Sequence, residues 1–203
     1  MTNKPFIAFT SGALLRHEFD RLLPILLLED SDSELTKEVK ENNLFGVKTE
    51  SARQRILTEI KRRLKVLPSG FWDFYEKADS FHRNLLLFFV VLKAYPLALD
   101  FHFEVVLAKW KRLDKKLDKF DLKMRMDELS SGNPSIDSWS ESTKEKVITV
   151  FLRMCKESGL LKNNEITKPL EQHLVFWRYF IEIDEPWFLE ACLLSKIERE
   201  KLI

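Results

Sequence analysis

The chain has 203 residues, with 33 Lys and Arg against 32 Asp and Glu, a formal net charge of +1. That balance excludes a polybasic tail protein and an acidic disordered chain. At 45% hydrophobic and 32% charged, with 5 Gly and 7 Pro, the composition is that of a charge-dressed, helix-inclined globule of one domain or two small ones.

Thr10-Ser11-Gly12 offers a helix start, and Leu14, Leu15, Phe19, Leu22, Leu23 and Leu26 follow at helical spacing. Pro24 within that pattern predicts a kink or a break. A second helix is expected over 32–42, with Ser33 as its cap and Asn42-Asn43 at its end. The third has the clearest pattern: Thr49-Glu50-Ser51 starts it, Ala52, Ile56, Ile60 and Leu64 advance by four to form one stripe, and Pro68-Ser69-Gly70 closes it. Helices follow at about 71–78, 80–95 and 101–120, the last with its stripe at Phe103, Val106, Trp110, Leu113 and Leu117. Leu85 to Leu92 is the longest apolar run, far short of the roughly 20 residues that span a bilayer, and reads as a buried helix.

Between Glu128 and Ser142 the residues carry turn chemistry with little to bury. A boundary there divides the chain into a multi-helix bundle over 1–128 and a smaller subdomain over 129–203. In the latter, Ser142-Thr143 caps a helix that Gly159 ends as a C′ glycine. Leu160, Leu161 and the polar stretch from Lys162 to Lys168 suggest a short hairpin or wing. Val175 to Ile183 is β-branched and aromatic enough for a strand, with a helix as the alternative, and Pro186 suits the first turn of a last helix. The fold class is therefore all-α, with at most a short β-wing near the C-terminus.

GxGxxG, HExxH and GxSxG signatures and a phosphate-binding P-loop are all missing, so no enzyme, cofactor or small-molecule substrate is expected. His17, His82, His102 and His173 are scattered without ligand spacing, which argues against a metal. Cys155 and Cys192 read as small core hydrophobes in a reducing compartment. With no secretion signal in the first ten residues, the expected location is the cytoplasm. Glu29-Asp30 and Glu182-Asp184 are better explained as solvated helix ends than as acid–base pairs.

The balanced total hides local segregation. Lys48 to Lys65 holds seven Lys and Arg against two Glu, a net +5, and Lys109 to Arg125 holds eight against three Asp, again +5. On a helical wheel Arg55, Lys61, Arg62 and Lys65 lie opposite the Ala52–Leu64 stripe, while Lys111, Arg112, Lys115, Lys116, Lys119 and Lys123 share one side of the later helix. Sorted signs favour a polyanion, and phosphate is the commonest; a merely solvated face is the competing reading. Arg53 and Arg63 project beside the apolar stripe and read as structural, with Glu18 as the nearest partner by character, because an unpaired buried guanidinium costs several kcal/mol. The helix, glycine and polar hairpin near the C-terminus follow the order of a recognition helix and wing. Thr143, Lys144, Lys146, Thr149 and Arg153 would then face outward from a Val147-Phe151-Met154 stripe.

Thr10 to Leu15 with Glu18, the Asn42-Asn43-Leu44 turn, Thr49 to Ser51 leading into Arg53, Ile56 and Arg63-Leu64, Asp100-Phe101, and the Ser142-Thr143 helix ending in Ser158-Gly159-Leu160-Leu161 together resemble the BrxA family of bacteriophage-exclusion (BREX) defence systems. The resemblance covers most of the chain and lies in the order of short motifs, none of them catalytic. It implies a two-part, all-α protein with a NusB-like bundle, no enzymatic activity, double-stranded DNA as ligand and other BREX subunits as partners. An inner-membrane label sometimes given to such proteins does not suit apolar runs this short. The alternatives are a NusB-like RNA binder and a protein scaffold without nucleic-acid binding. Glu182, Asp184, Glu185 and Glu190 with Trp177, Trp187 and Phe188 form either a partner surface or, more simply, core aromatics at a helix start.

Overall fold

Apolar residues at helical spacing fold into helices almost throughout the computed structural model, which describes residues 8–169 and 174–202. The fold is all-α apart from one hairpin of two-residue strands. Packing divides the chain into two units, Ser11–Ala94 and Met1–Thr10 with Tyr95–Ile203. The 128/129 position falls inside the second unit.

The Ser11–Ala94 unit contains α1 (Arg16–Leu26), α2 (Ser31–Glu41), α3 (Glu50–Leu64), α4 (Phe71–Lys77) and α5 (Ser80–Ala94). Thr10-Ser11-Gly12 does not cap α1. The helix starts four residues after Gly12, behind Leu15 in the left-handed region, and Gly12 itself turns the chain at φ +69°. Pro24 is carried in the last turn of α1, which ends two residues later at Leu26. Asp30, not Ser33, precedes α2, and Asn42 ends it at φ 56° as expected. Thr49 caps α3, its side chain accepting from the Ala52 amide. The buried face of α3 shares only Ile60 with the expected stripe and consists of Arg53, Leu57, Glu59, Ile60 and Arg63, because two arginines and a glutamate supply part of the interior face. Leu85 to Leu92 is buried along α5. Among the described residues no single helix is long and apolar enough to cross a membrane.

In the second unit α6 (Pro96–Asp100) runs into a π-helical segment, Phe101–Leu107, and then α7 (Ala108–Lys111). The wider π turns shift the phase of the pattern, so Phe101, Val105, Val106 and Leu107 are buried while Leu113 is 85% exposed at φ 62°. The helix expected to run to Phe120 ends at Lys111, where the chain turns through Leu113. The chain resumes as α8 (Lys119–Gly132), started by a reciprocal cap between Asp118 and Asp121. The turn-rich stretch forms α9 (Pro134–Asp137), capped by Asn133, and buries Ile136 completely. Then comes α10 (Glu141–Glu157), capped by Ser140 and not by Ser142, and packed on α8. Position 128/129 lies inside α8 itself.

Gly159, at φ 78°, follows α10 as expected and leads into the antiparallel pair β1 (Leu161–Lys162) and β2 (Glu165–Ile166). Asn163 and Asn164, both at positive φ, make the two-residue turn. On its other edge β2 pairs with the α7–α8 connection: Ile166 N donates to Lys115 O at 2.7 Å, and Leu117 N donates to Asn164 O at 2.9 Å. Beyond it, α11 (Leu174–Glu182) is a helix where a strand was the first expectation, since Phe176, Trp177, Tyr179 and Phe180 bury one helical face. Short helices α12 (Trp187–Ala191), directly after Pro186, and α13 (Lys196–Glu200) complete the unit.

Candidate nucleic-acid interface

The arginines beside the apolar stripe of α3 are held by structure on every side. Arg63 donates through Nε to Glu59 at 3.0 Å and through its two terminal nitrogens to the Leu14 and Ala13 carbonyls at 2.9 and 2.8 Å. The backbone of the Thr10–Leu15 run thus serves as the acceptor for a buried guanidinium. Glu59, one turn back on α3, is the carboxylate partner; half-buried Glu18 is not. Arg53 ties the end of α2 to the start of α3, donating to Val39 O at 2.5 Å and Val47 O at 2.7 Å. Buried Glu38 accepts from the Leu44 and Phe45 amides at 2.6 and 2.9 Å, holding the Asn42-Asn43-Leu44 turn.

On the outer side of α3 the charges are partly neutralised. Lys61 pairs with Asp32 at 2.8 Å and Arg62 with Glu59 at 3.5 Å. Arg55 and Lys65 are exposed and make no ion pair among the described residues.

The second basic stretch is not one helix face, because the chain turns between Arg112 and Asp118. Lys109 bridges Asp114 and Asp121 at 2.7 and 2.8 Å and pins that turn. Lys111 pairs with Glu190, which Arg199 also holds, and these two cations keep the Glu190 carboxyl below its usual range. Arg125 makes a bidentate pair with Asp100 at 2.8 and 2.7 Å, so the Asp100-Phe101 motif is a clasp inside this unit. Lys115 lies over the Trp110 ring and Lys116 is 3.9 Å from Asp118. Arg112, Lys119 and Lys123 are exposed with no ion pair among the described residues.

Along α10 the Val147-Phe151-Met154 stripe is buried as expected, and Lys146, Thr149 and Arg153 face outward, the last paired with Glu157 at 2.7 Å. Lys144 does not face outward. It is 9% exposed, its ammonium 3.4 Å from Glu141, because it falls on the flank that α10 buries beside Val147, Ile148 and Phe151. Thr143 is half-buried and joined to the Ser140 cap.

Two stretches read separately in sequence meet in space. Lys119 and Lys123 of α8 and Ser142, Glu145, Lys146, Ile148 and Thr149 of α10 line one open groove of about 370 Å³. It holds three lysines without an ion pair among the described residues and one carboxylate. Sequence reasoning named Lys119, Lys123, Lys146 and Thr149 and missed Glu145; only the α8–α10 packing brings them together.

Of the histidines, His82 is buried with Nδ1 2.6 Å from Asp79, and His102 is buried with Nε2 2.7 Å from Ala191 O. His17 is exposed, and His173 lies outside the described residues. Burial lowers the His102 pKa to about 4. Cys155 and Cys192 are fully buried, and both thiols are pushed up by desolvation. In the acidic cluster Glu185 accepts from Trp187 Nε1 at 2.5 Å, and the rings of Trp177 and Phe188 are core.

A model of the BrxA family matches residues 6–176. The chain is 24% identical over 165 residues to a BREX protein BrxA of Bacillus cereus (strain H3081.97), covering 81% of this chain and 82% of the relative. It is 23% identical over 158 residues to a BREX protein BrxA of Escherichia coli O9:H4 (strain HS), covering 77% and 74%. Its fold resembles the crystal structure of an uncharacterized protein from Magnetospirillum magneticum, with a TM-score of 0.74 at 17% identity, over 94% of this chain and 98% of the other. A family match over most of the chain means that this protein belongs to the BrxA family of the BREX phage-defence systems.

Proposed function

We propose that the protein is a non-enzymatic, cytoplasmic accessory factor of a BREX system that binds double-stranded DNA and works alongside other BREX subunits. The observation that carries this reading is the groove in which Lys119, Lys123 and Lys146 converge without carboxylate partners among the described residues. Three lysines without an ion pair among the described residues, against the single carboxylate of Glu145, beside a helix that presents Ser142, Lys146 and Thr149, suit a phosphate backbone with an adjoining groove edge.

The chain order supports the same reading. An edge segment at Lys115–Leu117, then α8, α9 and α10, then the β1–β2 hairpin with β2 paired back to that segment, is the order of a winged helix. In it α10 is the recognition helix and Asn163-Asn164 the tip of the wing. The smaller subdomain would then begin before α8, not at residue 129. Exposed Arg55 and Lys65 of α3 remain candidates for further phosphate contacts.

Titration of matched duplex DNA, single-stranded DNA and RNA at two salt concentrations tests the proposal. Preference for the duplex with a steep salt slope supports it. Preference for RNA favours the RNA-binding alternative, and no binding to any of them at low salt leaves a scaffold.

A further inference from the structure

Around the circumference of α8 three kinds of surface follow one another. Leu122 and Met126 are buried, Lys119 and Lys123 line the groove against α10, and Phe120 and Met124 stand about 100° further round from these lysines, 67% and 55% exposed. Phe120 and Met124 are four residues apart, so they form a ridge about 6 Å long on one helical face. Asp127 and Glu128 follow on the next turn and confine the apolar and basic surface to the first half of the helix. Lys119 sits in the first turn, where the helix dipole disfavours a cation. A large exposed aromatic beside it is the second departure from what a solvated helix needs.

On the reading that α10 faces a DNA major groove, this order has a counterpart on the duplex. The lysines of α8 fall on the phosphate backbone, and the next surface round the helix falls toward the adjoining minor groove. We propose that Phe120 and Met124 are an apolar wedge that enters the minor groove and partly unstacks a base step, so that the protein bends the DNA it binds. The lysines hold the backbone on one side of the ridge, and phenylalanine and methionine are among the apolar side chains that insert between base steps. Pyrimidine–purine steps unstack most readily, so a DNA preference arises here without hydrogen bonds to base edges.

The inference rests on the DNA-binding reading, and one experiment separates the two. A duplex of about 30 base pairs with a fluorescent donor and acceptor at its ends is titrated with the full chain, with Phe120→Ala/Met124→Ala, with Phe120→Leu and with Lys119→Glu/Lys123→Glu/Lys146→Glu, melting curves serving as the check on folding. The wild type is expected to raise energy transfer and to bind a duplex with central TA steps several-fold more tightly than a G·C-rich one. The double alanine variant is expected to bind within about threefold of wild type, to leave the duplex straight and to lose the step preference. Phe120→Leu keeps most of the bend, and the charge-reversed variant does not bind. A wild type that binds without bending, or a double alanine variant whose complex bends as before, overturns the wedge and leaves DNA binding standing. A wild type that binds no duplex overturns both.

Discussion

Arg63 and Glu59 form an ion pair almost closed to water, Arg63 Nε lying 3.0 Å from Glu59 Oε1 with the side chains 1% and 5% exposed. The remaining guanidinium donors reach the Ala13 and Leu14 carbonyls, which brings the chain ahead of α1 onto α3. Removing one member of such a pair strands a buried charge. Arg63→Ala is expected to cost about 3–5 kcal/mol of stability, and Glu59→Gln less because it keeps an acceptor. Thermal or urea unfolding reads both, and Glu18→Ala should stay within about 0.5 kcal/mol of wild type. An Arg63→Ala protein that melts normally but no longer binds DNA would make this arginine a ligand contact.

The groove lysines should act through phosphate and therefore through salt. Replacing Lys119, Lys123 and Lys146 by Gln is expected to flatten the slope of log K against log salt by roughly 0.9 for each phosphate that is no longer neutralised. Lys144→Gln, on the buried flank of α10, should leave the slope unchanged. Equal slopes in wild type and triple variant would mean that the groove does not meet phosphate.

Acid should weaken the second unit through His102. Its folded-state pKa is held near 4 by burial, while an unfolded chain takes up the proton near 6.5. Between those values the unfolded state binds more protons, so stability is complete above about pH 6.5 and falls as the pH drops toward 4. The slope is at most about 1.4 kcal/mol per pH unit, or about 3 kcal/mol in all. Melting temperatures at pH 7.5, 6 and 5 for wild type and His102→Gln test this, because glutamine can still donate to Ala191 O but does not titrate. A wild-type profile no steeper than the variant's would count against it.

Neither thiol should react in the native state. Cys155 and Cys192 are fully buried and their pKa values are raised, so an aromatic disulfide reagent at pH 8 is expected to release its thiolate only as the chain unfolds. Prompt stoichiometric release from folded protein would contradict the burial.

The helical class, the Thr49 cap, the Asn42 and Gly159 terminators and the hairpin were legible because each rests on neighbouring residues. What depends on distant partners was not. The identity of the carboxylate facing Arg63 depends on which turn of α3 points inward, and the buried face shares only Ile60 with the 52–56–60–64 pattern because Arg53, Glu59 and Arg63 occupy interior positions. Counting charges along Lys109–Arg125 placed six cations on one face, yet the helix ends at Lys111 and the chain turns before α8, and Asp100, Asp114, Asp121 and Glu190 claim Arg125, Lys109 and Lys111. The groove was half legible. Its residues stood in two separate stretches, and joining them required the packing of α8 on α10.

The pairing of Lys115–Leu117 with β2 bears on what this chain tolerates. By composition the stretch is a polar connection, the kind of place where an added or deleted residue is absorbed without trouble. Two backbone hydrogen bonds to the hairpin fix its register instead, and a slip of one residue there turns Leu117, fully buried, toward water. Length changes between Arg112 and Asp118 should therefore be as damaging as core substitutions, and an epitope or fluorophore is better carried near Asp137, on the exposed side of α9.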